Sequence, residues 1–390
     1  MIKIENEDLN DIVVEYGKVI MTKLTNKINS ILNVIAILES PSLVDEKIVK
    51  GKVLAYSSAI QVITNRDKLL DSKHGKGSGK KTMDLIYTLE KSKTKSDKRS
   101  KCRKKNLLKD YKSISHKLSD FLKLNDLITG TPDQLLILND KLDKQVKFTN
   151  EKFYKYFFNY KNFYHEIDIN IGHKLDLKCC PYCNRNFITY VSDKNNRVIG
   201  PTYDHFFSKS RYKYLSLSIY NLIPSCFICN SNLKGNVDFT LDNHTHPYIS
   251  GFEKDAFFDF ELSTNNYKGK REIIFSPYLI PSINISNKKN DIIFGSSSKK
   301  DSGNVKIFKL QEVYKLHNDS VEEIHAKFDK SSPHYIGSIS RIISQLKTSE
   351  EEFYRFHFRN YFDSKDFHRR PLAKLDKDIY DKFKSISDIN

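Results

Sequence analysis

The middle of the chain is expected to fold around two short cysteine motifs, CCPYCNRN at 179–186 and CFICNSN at 226–232. A Cys-x-x-Cys turn directs two thiolates at one ion, and two such turns complete a tetrahedral site for zinc. The predicted ligands are Cys180, Cys183, Cys226 and Cys229. Cys179 is the weaker candidate, because it would leave three residues before Cys183. Since four thiolates leave no open coordination position, the zinc is predicted to be structural.

Length and charge narrow the class of protein. With 390 residues, of which 39% are hydrophobic, the chain is long enough for two or three compact units with a core. Lys and Arg outnumber Asp and Glu by 65 to 48, which gives a formal charge of +17. Such a surface attracts polyanions, of which nucleic acid is the commonest. Composition alone does not separate this reading from a Lys-rich protein of an AT-rich genome.

The cellular compartment is predicted to be the cytoplasm. The N-terminus lacks the basic-then-apolar pattern of a secretory signal, and the most apolar early run, 28–38, is too short and interrupted to span a bilayer. Cytosolic cysteines stay reduced, so the two Cys-x-x-Cys pairs indicate a metal site rather than disulfides.

Outside the cysteine motifs the patterns favour helices. Apolar residues recur every three or four positions over 7–40, which predicts an amphipathic helix, and a second helical stretch covers Glu46–Thr64. The basic segment Arg66–Lys117, which contains Cys102, fits a nucleic-acid-facing arm and a solvated helix and loop equally well. Beyond residue 250 the chain predicts strands at 272–275, 292–294 and 305–310 and helices near 318–330, 333–346 and 349–362.

Between the cysteine pairs lies an acidic residue followed by a histidine, Asp204-His205. A carboxylate is a hard ligand suited to Mg²⁺ or Mn²⁺, and imidazole titrates near neutrality. Neighbours on an extended backbone point to opposite sides, so the two can share one site only where the strand ends in a loop. The following segment, 208–211 (SKSR), is consistent with such a loop.

The combination of Asp204-His205, the run YNLIPSC at 220–226 and Asn230 after the last cysteine resembles the HNH endonucleases. The resemblance covers about 178–250 and implies a ββα-metal unit, two strands and a helix around one divalent cation. It implies that His205 is the general base that activates water and that Asp204 is a metal ligand. It further implies that Asn221 braces the catalytic loop and that Asn230 completes the metal site. Lys234 stands four residues beyond Asn230 where the family pattern has three, so Asn232 competes with Asn230 as the ligand.

Phosphodiester cleavage needs a base for water, a cation to neutralise charge, and positive side chains that hold the strand. The predicted contacts to nucleic acid are Lys209, Arg211 and Lys234. The predicted cofactors are therefore structural Zn²⁺ and catalytic Mg²⁺ or Mn²⁺, and the predicted substrate is DNA, double-stranded by preference. A zinc-stabilised module without catalysis would keep the four cysteines but have no use for Asp204 and His205. An interaction protein whose basic regions dock a partner is a third hypothesis.

The pair His244 and His246, in DNHTHP at 242–247, is predicted to lie in a turn with both rings on the surface. The two histidines remain candidates for an added metal or phosphate contact.

Two C-terminal segments, 308–317 and 370–379, resemble parts of bacterial HNH proteins, some of which are encoded beside ATPases in anti-phage defence systems such as Septu. That resemblance implies a nuclease effector with an ATPase partner. Altogether we expect an α+β fold, mainly helical, with an embedded ββα-metal unit held by a four-cysteine zinc site. The expected regions are a helical basic 1–150, a nuclease core 151–250, and a mixed then helical 251–390.

Overall fold

The computed structural model describes residues 1–39, 125–146, 157–194, 196–267, 270–295, 303–329 and 349–387. Within these ranges the predicted α+β class is confirmed, because the chain is mainly helical and carries three two-stranded sheets. The predicted helix Glu46–Thr64, the basic segment Arg66–Lys117 with Cys102, and the helix at 333–346 lie outside the described residues. None of the helices in the described ranges has the length and apolar character needed to cross a membrane.

Each of two compact units is assembled from separate chain segments. The first unit contains Met1–Ile12, Ile167–Ser208 and Tyr220–Asn390, and the second contains Val13–Glu166 and Lys209–Ile219. The division into regions 1–150, 151–250 and 251–390 stays a prediction.

The regular elements follow in chain order. The α-helices are α1 (Leu9–Glu39), α2 (Asp126–Thr129), α3 (Pro132–Val146), α4 (Tyr164–Ile167), α5 (Asn287–Phe294), α6 (Asn304–Ile307), α7 (Leu310–Tyr314), α8 (Asn318–Asp329), α9 (Glu350–Phe358) and α10 (Ala373–Ser387). The strands are β1 (Val191–Asp193), β2 (Asn196–Ile199), β3 (Thr202–His205), β4 (Leu222–Ser225), β5 (Ala256–Tyr267) and β6 (Lys270–Pro281). Short turns of tighter or wider helix lie at Tyr160–Phe163, Asp168–His173, Lys213–Leu217, Ile219–Asn221, Ile228–Lys234, Lys315–His317 and Ser364–Arg369.

The second unit is organised by α1, which confirms the helix predicted from apolar spacing. Tyr16, Ile20 and Leu24 recur every four residues and are buried, so one face of the helix packs inward. The Tyr16 hydroxyl donates to the Leu217 carbonyl at 2.8 Å. That bond ties the Lys213–Leu217 turn to α1.

In the first unit, two strands and a helix follow each other around the cysteine motifs. β3 pairs with β4 in antiparallel register, from Thr202 opposite Ser225 to His205 opposite Leu222. All four residues of β4 are buried. From β4 the chain passes through the second cysteine pair into the Ile228–Lys234 helix. This helix carries Lys234 back to the end of β3.

A long ribbon of β5 and β6 supports the C-terminal part of the first unit. The predicted strand at 272–275 lies within β6, and the two strands pair over 12 residues each. α10 packs against β5 through Phe383 and Phe260, whose ring centroids are 4.9 Å apart. α8 packs against β6 through His325 and Phe275, with centroids 4.7 Å apart. The predicted helix near 318–330 is confirmed as α8, and the one predicted over 349–362 is found as the shorter α9.

Two sequence predictions in this region are wrong. The segment 292–294 belongs to α5, and 305–310 belongs to α6 and the start of α7, where strands were expected. Short apolar runs fit a strand and a buried helix equally well, so periodicity cannot separate them. For 292–294 the signal for a helix is Ser286, whose hydroxyl accepts from the backbone N–H of Lys289 and caps α5, whereas the helix at 304–307 has no side-chain cap.

Candidate metal centre and active site

Four buried cysteine side chains come together in the first unit, namely Cys180, Cys183, Cys226 and Cys229. Their sulfur atoms all lie within 4.8 Å of one another. A tetrahedral zinc site with Zn–S bonds of about 2.3 Å has sulfur–sulfur edges of about 3.8 Å, so separations of up to 4.8 Å are compatible with such an ion. The cluster can hold a structural metal such as zinc. Cys179 is buried but lies outside the cluster, which confirms the predicted register.

Hydrogen bonds around the sulfurs favour negative charge on one of them. Asn186 Nδ2 donates to Cys226 Sγ at 3.3 Å, and the backbone N–H of Cys229 donates to the same sulfur at 3.4 Å. Hydrogen bonds from the thiols of Cys180, Cys183 and Cys229 hold the pKa of Cys226 well below its usual range. Burial raises the pKa of Cys180 well above its own. Ionising all four thiols therefore requires a cation among them.

The first cysteine turn is anchored by Asn184, which has a left-handed backbone (φ 47°) that Asn tolerates better than most residues. The side-chain amide of Asn184 donates to the Phe367 carbonyl at 2.8 Å. The backbone carbonyl of Asn184 accepts from the Leu372 N–H at 2.7 Å. The backbone N–H of Lys374 donates to its side-chain oxygen at 3.1 Å. The turn is thus fixed to the start of α10.

Asp204 is buried and both of its carboxylate oxygens have partners. The Tyr182 hydroxyl donates to Oδ2 at 2.6 Å, and Lys234 Nζ donates to Oδ1 at 2.9 Å. Lys234 Nζ also donates to the His205 carbonyl at 2.7 Å and lies 4.7 Å from the centre of the Phe239 ring. The Lys234 side chain is only 2% exposed. Lys234 was predicted to contact nucleic acid; in this structure its ammonium is buried and bonded within the protein, and the contact stays a prediction.

Tyr182 connects the cysteine cluster to this carboxylate, and sequence analysis missed it. It stands inside the first cysteine turn and is fully buried, stacked on Phe308 with centroids 4.4 Å apart. Burial, together with the adjacent Asp204, raises the pKa of its phenol well above the usual range, so the hydroxyl keeps its proton. A buried Tyr needs a partner for its hydroxyl. The sequence signal was therefore a Tyr between two predicted metal ligands.

His205 ends β3, and a loop held by Asn221 follows it. The Asn221 side chain accepts from the Phe207 N–H at 2.7 Å and donates to the Phe207 carbonyl at 3.2 Å. Its own carbonyl accepts from the Phe206 N–H at 3.0 Å. Three bonds from one residue fix the backbone directly after His205. His205 itself is 8% exposed, and strand alternation places its side chain on the face opposite Asp204.

The face of β3 opposite Asp204 carries a second buried network that sequence analysis also missed. The Tyr203 hydroxyl donates to Asp168 Oδ1 at 2.6 Å, and Arg197 Nη1 donates to the same oxygen at 2.8 Å. Asp168 is 2% exposed. Because Asp168 and Tyr203 are 35 residues apart, no local pattern could have paired them.

The other predicted contact residues differ in accessibility. Asn230 is half-buried on the Ile228–Lys234 helix, four residues before Lys234, whereas Asn232 is exposed. Lys209 and Arg211 are exposed and belong to the second unit. Lys209 Nζ lies 4.9 Å from the centre of the Tyr160 ring, and the Arg211 guanidinium lies 5.4 Å from that of Tyr212.

The prediction that His244 and His246 lie on the surface is wrong, because both are buried. His244 stacks on Phe239 with centroids 4.0 Å apart, and His246 lies 4.2 Å from Phe206. Burial lowers the pKa of His244 to about 4 and that of His246 to about 3, so both rings are neutral near pH 7. Phe206 comes from a separate part of the chain, and Phe239, although only five residues before His244, covers that ring only once the segment has folded, so the turn-like local pattern was misleading.

A divalent cation such as Mg²⁺ does not find a ready site at Asp204. Its carboxylate is already neutralised by Lys234. In the described part of the chain, the cysteine cluster is the only group of three or more His, Cys, Asp or Glu side chains placed to hold a metal. Comparison with known proteins gave no match to a family model, to a curated protein or to a solved structure.

Proposed function

We propose that this chain is an HNH-type endonuclease that hydrolyses phosphodiester bonds in DNA. The observation that carries the proposal is the arrangement at the end of β3. There His205 leads directly into a loop held by three hydrogen bonds from Asn221, beside a helix that leaves the cysteine cluster. A fixed loop after a histidine is what a general base needs to meet water and a phosphate in one geometry.

In this proposal His205 takes a proton from water as the water oxygen bonds to phosphorus; the bond from phosphorus to the leaving oxygen breaks, and that oxygen takes a proton from solvent. Asn221 acts through the backbone of Phe207 and is a positioning residue. Zinc bound by the four cysteines is structural, since its coordination is complete without water or substrate.

Lys209 and Arg211 are the proposed contacts to DNA phosphates. Both are exposed cations that follow His205 closely in the chain, in a protein of net charge +17. Their nearby aromatic rings, Tyr160 and Tyr212, restrain where the charges lie. Lys234 is left out of this set, because its ammonium is buried.

The family resemblance implies Mg²⁺ or Mn²⁺ on Asp204 and Asn230. Asn230 is preferred to Asn232, because it is half-buried at helical spacing from Lys234, whereas Asn232 is exposed. The described residues do not form a free divalent site there, so we assign no chemical step to that cation. Anti-phage defence and an ATPase partner stay predictions from the resemblance.

A second function is favoured by the pairing of Asp204 with Lys234. If the carboxylate serves only the fold, the chain is a zinc-stabilised module that binds nucleic acid or a partner of a defence complex without cleaving anything. Such a module would retain the cysteine cluster and the exposed cations.

Cleavage by the His205→Ala protein separates the two functions. With zinc-loaded protein, plasmid DNA, and Mg²⁺ or Mn²⁺ in the buffer, we expect removal of the base to slow cleavage by about 10²–10⁴-fold. Zinc content and DNA retention should stay unchanged. His165→Ala, which removes an exposed histidine of the second unit, is the matched control and should cleave normally. Cleavage by His205→Ala at the wild-type rate would contradict the nuclease proposal.

A further inference from the structure

The ion pair between Asp204 and Lys234 is sealed from solvent. The two side chains are 4% and 2% exposed, and their charged atoms are 2.9 Å apart. Lysine is almost never fully buried unless it is paired. Its ammonium has two oxygen acceptors, Asp204 Oδ1 and the His205 carbonyl, and lies over the Phe239 ring. Two oxygen acceptors and one aromatic ring therefore surround the ammonium group of Lys234 inside the protein.

The carboxylate is equally committed. Oδ1 receives Lys234 and Oδ2 receives the Tyr182 hydroxyl, so the buried group has one full positive charge and one neutral donor. A dication brought to Asp204 would meet the ammonium at short range in a low-dielectric interior, where like charges repel strongly. Metal and lysine thus compete for one position.

We infer that Lys234 is the resident cation of this centre. Its ammonium occupies the place beside Asp204 that the resemblance assigns to Mg²⁺ or Mn²⁺. By bonding to Asp204 and to the His205 carbonyl at once, Lys234 fixes the end of β3 and is a positioning residue. The inference changes the role of Asp204 from a metal ligand to the partner of Lys234. Only the link between this ion pair and DNA cleavage rests on the proposed function. The ion pair can be tested without any cleavage.

A double-mutant cycle tests the pair. Asp204→Asn leaves a buried ammonium uncompensated and Lys234→Met leaves a buried carboxylate, so each should lower the Tm of zinc-loaded protein by about 10 °C. The double variant Asp204→Asn/Lys234→Met removes both charges together and should regain at least half of the loss of either single variant. If neither single variant folds, a folded double variant supports the pair and an unfolded one overturns it.

A second test asks whether an added divalent cation restores the stability of the Lys234→Met variant. If Lys234 served only the packing of the fold, a cation would not restore it. In Lys234→Met the place beside Asp204 is open, so millimolar Mg²⁺ should raise its Tm while leaving that of the wild type unchanged. Mn²⁺ titrated by electron paramagnetic resonance should bind to Lys234→Met at least tenfold more tightly than to the wild type. The matched control is the double variant Asp204→Asn/Lys234→Met, which has the same open place but no carboxylate beside it. Its Tm should not rise with Mg²⁺.

Three results would overturn the inference. The first is additive loss of Tm in the double variant. The second is equal Mg²⁺ rescue of Lys234→Met and of the double variant Asp204→Asn/Lys234→Met. The third is tight Mn²⁺ binding by the wild type that Asp204→Asn abolishes, because Asp204 would then be an ordinary metal ligand. None of these measurements uses cleavage. They would therefore still test the ion pair if the His205→Ala experiment contradicted the nuclease proposal.

Discussion

Two places in the first unit collect negative charge, and they are neutralised in opposite ways. At the cysteine cluster four thiols face one another within 4.8 Å, and thiol and N–H donors surround the sulfurs. At Asp204 one carboxylate meets a lysine from the same chain at 2.9 Å. The first place needs a cation from outside the protein, whereas the second already contains one.

This difference predicts which of the two places depends on a bound metal. Tyr182 lies between two of the cluster cysteines and donates to Asp204, so the cluster and the carboxylate share one connecting side chain. Loss of zinc from the cysteine cluster should therefore disturb the ion pair of Asp204 and Lys234. Loss of that ion pair need not release the zinc. We expect the free energy of unfolding to depend on zinc occupancy, and the backbone geometry at His205 to depend on Lys234.

The largest expected effect comes from breaking the cluster. Cys226→Ser removes the sulfur that accepts most of the hydrogen bonds, and structural zinc sites contribute on the order of 10 kcal/mol to folding. We expect loss of bound zinc and of the cooperative unfolding transition of the first unit, measured by elemental analysis and calorimetry.

Cys179→Ser is the control for that experiment, because Cys179 is the buried neighbour of a ligand but lies outside the cluster. It should keep one zinc per chain and lose about 1 kcal/mol, as an ordinary core substitution does. Equal zinc loss in both variants would mean that the assigned register of the ligands is incorrect.

An intermediate effect is expected at Asp376, a buried carboxylate that receives a neutral donor instead of a cation. Asn360 Nδ2 donates to it at 2.6 Å, and burial raises its pKa to about 7. The folded state then holds a proton that the unfolded state, with a pKa of about 3.9, releases. Stability from this group is therefore present at low pH and lost as the pH rises to 7, by about 4 kcal/mol in total.

The measurement is the free energy of unfolding from pH 4 to pH 8 in wild type and Asp376→Asn. The variant should lack the fall with rising pH that Asp376 contributes. Asp381→Asn, on the exposed side of the same helix, should follow the wild-type curve. A wild-type curve parallel to that of Asp376→Asn would show that Asp376 is ionised in the folded protein.

The smallest effects are expected from cations that water already solvates. Lys209→Ala and Arg211→Ala should each weaken DNA retention and reduce the slope of log affinity against log salt by about 1, because each removes one phosphate contact. Fluorescence anisotropy with a labelled duplex over a salt series measures both. Lys18→Ala removes an exposed charge elsewhere in the second unit and should leave the slope unchanged. The same slope in all three variants would remove Lys209 and Arg211 from the DNA contacts.

Local patterns predicted the elements whose geometry is local. The amphipathic spacing of α1 and the register of the two cysteine pairs were both confirmed, because each depends on residues within a few positions of one another. The helices α5 and α6 were missed because short apolar runs carry no period, and of the two only α5 has a side-chain cap, Ser286, that could have indicated a helix. His244 and His246 were placed on the surface because a turn-like motif does not show that the rings of Phe239, five residues before His244, and of Phe206 will pack over them.

The sequence by itself determined that four thiols would converge, since a two-residue spacer inside each pair leaves the sulfurs little choice of direction. Only the tertiary structure decided the fate of Asp204 and Lys234, which are 30 residues apart. The physical reason is that a carboxylate can be paired with a metal, a lysine or a phenol, and its own sequence neighbours do not decide which; Asp204 has both a phenol and a lysine. Which of them arrives depends on how the helix after β4 packs against β3, and here it delivers an ammonium.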